Sequence, residues 1–125
     1  MNRSRIVIDI DGVIARWGQG GPKTDWDYSS CVMIPGADMA LFWLSNKHDV
    51  ILSSARRVED MATTVAWLER NGIMSGSHYR ELHLGSKPPA ALYVDDRAYR
   101  FGAGLWTLAE VERISQLASE GKTNE

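Results

Sequence analysis

Asp9 and Asp11 stand two residues apart, directly after the β-branched run Ile6-Val7-Ile8 and just before Gly12. Residues i and i+2 of an extended chain share one side. Carboxylates held about 5 Å apart repel by roughly 3 kcal/mol at an effective dielectric of about 20, and a cation or a shared proton must offset that. Mg²⁺ is the expected cofactor. A second polar strand end follows Val50-Ile51-Leu52, where Ser53-Ser54-Ala55-Arg56 begins. A hydroxyl there, ahead of the outward N–H groups of a helix, can hydrogen-bond a phosphoryl oxygen, although a Ser in that place also serves as a helix cap. A third group joins Lys87 to Asp95 and Asp96, which close the apolar run Ala91-Leu92-Tyr93-Val94. Carboxylates, a lysine and hydroxyls, each at the end of an apolar run, are the materials of metal-assisted phosphoryl transfer.

The remaining polar candidates read as structural. Cys31 falls in a polar stretch away from these groups, and one cysteine cannot close an internal disulfide. His48 is expected to cap a helix end, while His78 and His83 lack the spacing of metal ligands. Trp17, Trp26 and Tyr28 could wall the site, but folding their loop onto the body is the favoured role.

These groups need a scaffold that brings strand ends together. Ile6 to Ile8 reads as a strand buried on both faces, the kind found inside a parallel sheet. Residues 14–36 show no sustained period and are rich in Gly, Pro, Asp and Ser, which predicts one long loop over the site. A helix is expected over 37–48, with Ala37, Ala40, Leu41 and Leu44 inward and Lys47 and His48 complementing its C-terminal dipole. A second helix follows Arg56, with Val58, Met61, Ala62, Val65 and Leu68 on one face. An edge strand is expected over 79–84, and a short fifth strand at Arg100-Phe101. The last helix opens at Thr107, whose spacing to Glu110 is that of a capping box, and shows Leu108, Val111, Ile114 and Ala118 as its apolar face. Residues 121–125 read as a frayed tail. The sum is one α/β domain over 1–125, doubly wound around a mainly parallel sheet, with ligands expected outside the carboxyl ends of the strands.

Composition sets the outer bounds. The chain has 125 residues, enough for one core. A net charge of -2 gives no general pull towards polyanions. No apolar run reaches membrane-spanning or signal-peptide length, so a cytoplasmic protein without a membrane partner is expected.

Taken in order, Ile8-Asp9-Ile10-Asp11-Gly12-Val13, Ser54-Ala55-Arg56, Lys87 and Tyr93-Val94-Asp95-Asp96-Arg97 resemble the four motifs of the haloacid dehalogenase-like (HAD) phosphohydrolase superfamily. The resemblance runs from residue 6 to about 101 and is nearest to small members without a large cap domain. It implies a phosphatase working through an aspartyl-phosphate. Asp9 would be the nucleophile and Asp11 the general acid and base. Mg²⁺ would be held by Asp9, Asp95 and the backbone carbonyl of Asp11, with Asp96 supporting, and the phosphate by Ser54, Lys87 and Arg56. The second aspartate favours phosphatase over carbon–halogen cleavage. A phospho-receiver domain fits poorly, because here the acidic pair follows the lysine. A non-catalytic domain that binds phosphate or a partner stays open. The substrate is expected to be a phosphate monoester of unidentified class, with a nucleic-acid 3′-phosphate as runner-up, against which the acidic charge counts mildly.

Overall fold

The computed structural model describes residues 3–17, 30–90, 92–95, 99–100 and 105–120, with backbone alone at 95, 99 and 100. The strand expected at the start is β1, Arg5–Asp9, whose three β-branched residues are all buried. It lies at the centre of the sheet. The other elements follow as β2 (Ala15–Trp17), β3 (Cys31–Met33), α1 (Ala37–Ser45), β4 (Asp49–Ser54), α2 (Met61–Arg70), β5 (Glu81–Leu84), β6 (Leu92–Asp95), β7 (Tyr99–Arg100) and α3 (Leu108–Ser119). Five strands join in the order β5-β4-β1-β6-β7, and every pairing is parallel. From β1 the chain builds outward through β4 and β5, then crosses back to add β6 and β7 on the other side. The strand order therefore reverses at β1, which makes the carboxyl ends of β1, β4 and β6 the place where a Rossmann-like α/β sheet opens a crevice.

Most of the predicted elements are present, with shifted limits. The 14–36 loop is shorter than expected, because its ends pair as the antiparallel strands β2 and β3, with Ala15 opposite Met33 and Trp17 opposite Cys31. Three-residue strands are too short for alternation to show in sequence. Cys31 is consequently buried rather than in a polar loop. Trp26 and Tyr28 lie outside the described residues, as do Asp96, Phe101 and 121–125, and so does the expected wall of aromatics beyond Trp17.

The first helix ends at Ser45, three residues early. Arg3 accounts for the stop, donating to the carbonyls of Ser45 at 2.5 Å and His48 at 2.6 Å while its Nε meets Asp49 at 2.8 Å. Those carbonyls would otherwise be the orphans of a helix end. His48 is not a cap: it is buried, with Nε2 2.9 Å from the Ser115 hydroxyl of α3. Lys47 lies over the Trp43 ring at 4.5 Å. Gly36 opens α1 with φ 86°, and a Cβ there would come within 2.5 Å of the Trp106 carbonyl oxygen. Only glycine fits.

The apolar face expected for the second helix is present in part: Leu68 is buried and Met61 and Val65 are half-buried, but the face is turned towards Thr64 and Trp67. Val58 is 66% exposed in a short 3₁₀ turn, Val58–Asp60, and Ala62 faces solvent, whereas Thr64, Trp67 and Leu68 are buried. Two polar bonds set that rotation: the Trp67 indole N–H donates to the Cys31 carbonyl at 2.8 Å, and Thr64 meets Arg56. The opening of α3 is as read, with the Thr107 hydroxyl accepting from the Glu110 N–H at 3.1 Å, but Leu108 is 65% exposed. Among the described residues no helix is long and apolar enough to cross a membrane.

Candidate functional site at the carboxyl edge of the sheet

Parallel strands carry their chains to the same edge, and this edge is polar. A cleft of about 290 Å³ opens there, lined by Asp9, Ser53, Ser54, Ala55, Gly85, Ser86 and Lys87. Asp9 ends β1 and is half-buried, while Ser53 stands beside it on β4 in register. On the other side Ile8 pairs with Val94, so the next position of β6, Asp95, continues alongside Asp9.

Asp11 has left the strand. Gly12, with φ 90°, turns the chain sharply, and its N–H reaches the Ala15 carbonyl at 2.8 Å. This turn sets the Asp11 carboxylate apart from the cleft lining and onto Arg56. The guanidinium grips it as a fork, Nη2 to Oδ1 at 2.7 Å and Nε to Oδ2 at 3.0 Å, and the Ser54 hydroxyl donates to Oδ2 at 2.9 Å. Such bidentate charge-assisted pairs are short and directional. The repulsion expected between the two aspartates is thus met on the Asp11 side by Arg56.

This arrangement changes what the two serines can do. A hydroxyl has one hydrogen. That of Ser54 goes to Asp11, and its oxygen accepts from the Arg56 backbone N–H at 3.1 Å. Ser53 donates to the Ser86 carbonyl at 2.8 Å. Ser54 therefore orients Asp11 in this state, and Ser53 fastens the loop that carries Lys87. The Gly85 N–H strengthens that fastening by donating to the Ser54 carbonyl at 2.8 Å. From the other side, the Tyr93 hydroxyl of β6 donates to the Pro88 carbonyl at 2.8 Å, and the Lys87 ammonium stands 5.5 Å from the Tyr93 ring centre.

The residues singled out from sequence thus divide three ways. Asp9, Ser54 and Lys87 share the cleft; Asp11 and Arg56 pair beside it; Asp95 reaches the same edge by its backbone, and Asp96 lies outside the described residues. Sequence reading passed over Thr64, Ser86 and Tyr93. Thr64 could have been found from the spacing of 60, 64, 67 and 68, a three-and-four stripe that includes both buried residues Trp67 and Leu68.

At the start of α2, the Arg57 guanidinium bonds Asp60 at 3.0 and 3.1 Å and holds its carboxyl below the usual carboxylate range. Among the described residues no three His, Cys, Asp or Glu side chains gather as a metal-binding group. Asp9 brings a carboxylate to this edge, Asp95 reaches it by its backbone, and hard oxygen donors suit Mg²⁺. With its carboxylate engaged by Arg56 and Ser54, Asp11 has its carbonyl to offer.

No protein-family model matches the chain, and no curated protein matches it. The molecule is a Rossmann-like α/β domain whose cleft at the carboxyl edge of the sheet is lined by Asp9, Lys87 and three serines.

Proposed function

We propose that this protein is a Mg²⁺-dependent phosphatase of the HAD-like type, without a large cap domain, that hydrolyses a phosphate monoester through an aspartyl-phosphate on Asp9. The observation that carries the reading is the company Asp9 keeps: the end of the central strand opens into the same cleft as Lys87 and Ser54, and Ser54 and Arg56 clamp a second carboxylate, Asp11, at the border of that cleft. A carboxylate pair with a nearby ammonium serves nucleophilic attack on phosphorus better than it serves core packing.

In this mechanism a carboxylate oxygen of Asp9 attacks phosphorus, and the P–O bond to the leaving group breaks. Lys87 offsets the phosphoryl charge, a task of positioning and neutralisation. The Ser54 hydroxyl can turn from Asp11 to a phosphoryl oxygen when one arrives. In its protonated form Asp11 passes its proton to the leaving oxygen and becomes the carboxylate paired with Arg56, then takes a proton from the water that cleaves the acyl phosphate, which frees inorganic phosphate and restores Asp9. Asp9, Asp95 and the Asp11 carbonyl would hold Mg²⁺, with Asp96 in support; when bound, the ion draws charge from the phosphoryl oxygens.

Acid-quench mass spectrometry after incubation with Mg²⁺ and an activated aryl phosphate tests the assignment. Asp11→Asn should accumulate a phosphate adduct on the peptide bearing Asp9, because a good leaving group scarcely needs the acid while hydrolysis loses its base, a role worth about 10² to 10⁴-fold. Asp9→Asn should show neither adduct nor turnover. Turnover in Asp9→Asn comparable to wild type would remove Asp9 as nucleophile.

A further inference from the structure

We propose that Thr64, on α2 and outside the cleft lining, is a positioning residue for the Asp11 carboxylate, acting through Arg56; this rests on the reading that Asp11 moves the protons. Arg56 is a long side chain with only 1% of its surface exposed. Two of its nitrogens hold Asp11, and the third, Nη1, donates to the Thr64 hydroxyl oxygen at 3.0 Å. A guanidinium is planar, so an acceptor on Nη1 fixes the plane in which Nε and Nη2 point. Thr64 is fully buried, so the packing around it and its bond to Arg56 select between the two χ1 rotamers a helical threonine adopts and hold the hydroxyl in place.

Asp11 needs such a stop. It sits beyond the end of β1, after which Gly12 turns the chain, and its side chain is 43% exposed. Among the described residues its backbone makes a local bridge to Ala15 within the turn and belongs to none of the named strands. The direction comes from the chain of bonds Thr64 to Arg56 to Asp11, closed by Ser54. That chain ties the proton-transfer group to the helix that follows motif residues 54–56, and the helix is itself locked in phase by Trp67. Without the Thr64 oxygen, Nη1 would lose this bond and the guanidinium plane would shift, carrying the fork and the carboxylate with it.

A purely structural Thr64 would lower stability without altering how the enzyme treats different leaving groups. The full chain with Mg²⁺ is therefore compared on an aryl phosphate and an alkyl phosphate, since only the poor alkoxide leaving group depends strongly on the acid. In Thr64→Val the rate of phosphoenzyme formation should fall by up to about 10²-fold with the alkyl ester, the scale of a 1 Å misplacement, and be mostly kept with the aryl ester, whose steady-state turnover falls instead through the misplaced base. Thr64→Ser should restore the alkyl activity. Arg56→Lys, which keeps the charge but not the fork, should show the same selective loss and stands in if Thr64→Val does not fold. Equal losses in the rate of phosphoenzyme formation on both esters, or no rescue by serine, would overturn the proposal. The ¹³Cγ resonance of Asp11 provides a readout without turnover: it should move in Thr64→Val and return in Thr64→Ser. An unmoved resonance overturns the positioning role even if no ester is hydrolysed, whereas a wild type inert on both esters counts against the phosphatase reading instead.

Discussion

Arg56 and Asp11 form an ion pair whose halves are unequally exposed, 1% against 43% of the side chain. Removing one partner of a buried pair is costly chiefly when the charge left behind stays out of water. Asp11→Ala would leave the buried guanidinium without the carboxylate that neutralises it. Arg56→Met would leave a carboxylate that water can reach, with an apolar side chain filling the space. We expect Asp11→Ala to destabilise the fold by about 3 to 5 kcal/mol, and Arg56→Met by less than about 2 kcal/mol. Urea unfolding of the two variants checks this, and the reverse order would mean that Asp11, not Arg56, carries the desolvation.

At the scale of elements, α2 does more than cover the sheet. Its inward face is set by Thr64, Trp67 and Leu68, and that phase brings the Thr64 hydroxyl to Arg56. The 85–88 segment is the matching element across the cleft, fastened to β4 through Ser53 and Gly85 and to β6 through Tyr93. Lys87 is thus aimed by bonds to two neighbouring elements. The phase of α2 can be checked by two substitutions. Trp67→Ala should cost about 3 to 5 kcal/mol, the range for a buried aromatic, while Val58→Ala, at an exposed position, should stay within about 0.5 kcal/mol. Comparable costs at both positions in chemical denaturation would contradict this packing.

For the molecule as a whole, the two edges of the sheet have opposite tasks. The carboxyl edge holds the cleft, and the amino edge closes the body through Arg3 and His48. Burial, together with Arg3 and Lys47, pushes His48 below the usual histidine range, against a smaller opposing pull from Asp49. Among the described residues its Nδ1 has no hydrogen-bond partner. The folded chain therefore favours the neutral ring, while the unfolded chain takes up a proton near pH 6.5. Stability is fully present above that pH and falls as the pH drops through it towards the lowered folded value, by at most about 1.4 kcal/mol per pH unit. The carboxyls of Asp49 and Glu81 are held low by arginine and histidine partners and lose their contribution only at lower pH, below their unfolded values near 4. Denaturation midpoints between pH 7.5 and 5 should fall for wild type and stay flatter for His48→Gln. Equal slopes would exclude His48 as their source.

The sequence by itself determined the strands and what ends them. Apolar runs closing in Asp9, in Ser54 and in Asp95 were legible because burial on both faces of a parallel sheet leaves an unbroken apolar stretch, and polarity resumes only where the strand leaves the core. The opening of α3 at Thr107 was legible for a similar local reason, since a cap is a bond between residues three apart. Tertiary structure decided the rest. Arg56 could have met a phosphate or a carboxylate; a turn at Gly12 and a register between β1 and β4 gave it Asp11, 45 residues away in the chain. The inward face of α2 followed the Trp67 bond to Cys31 on β3, a strand too short to announce itself. Hydrophobic spacing records which residues avoid water, whereas the partner of a buried polar group depends on which distant backbone is brought beside it, and only the folded chain fixes that.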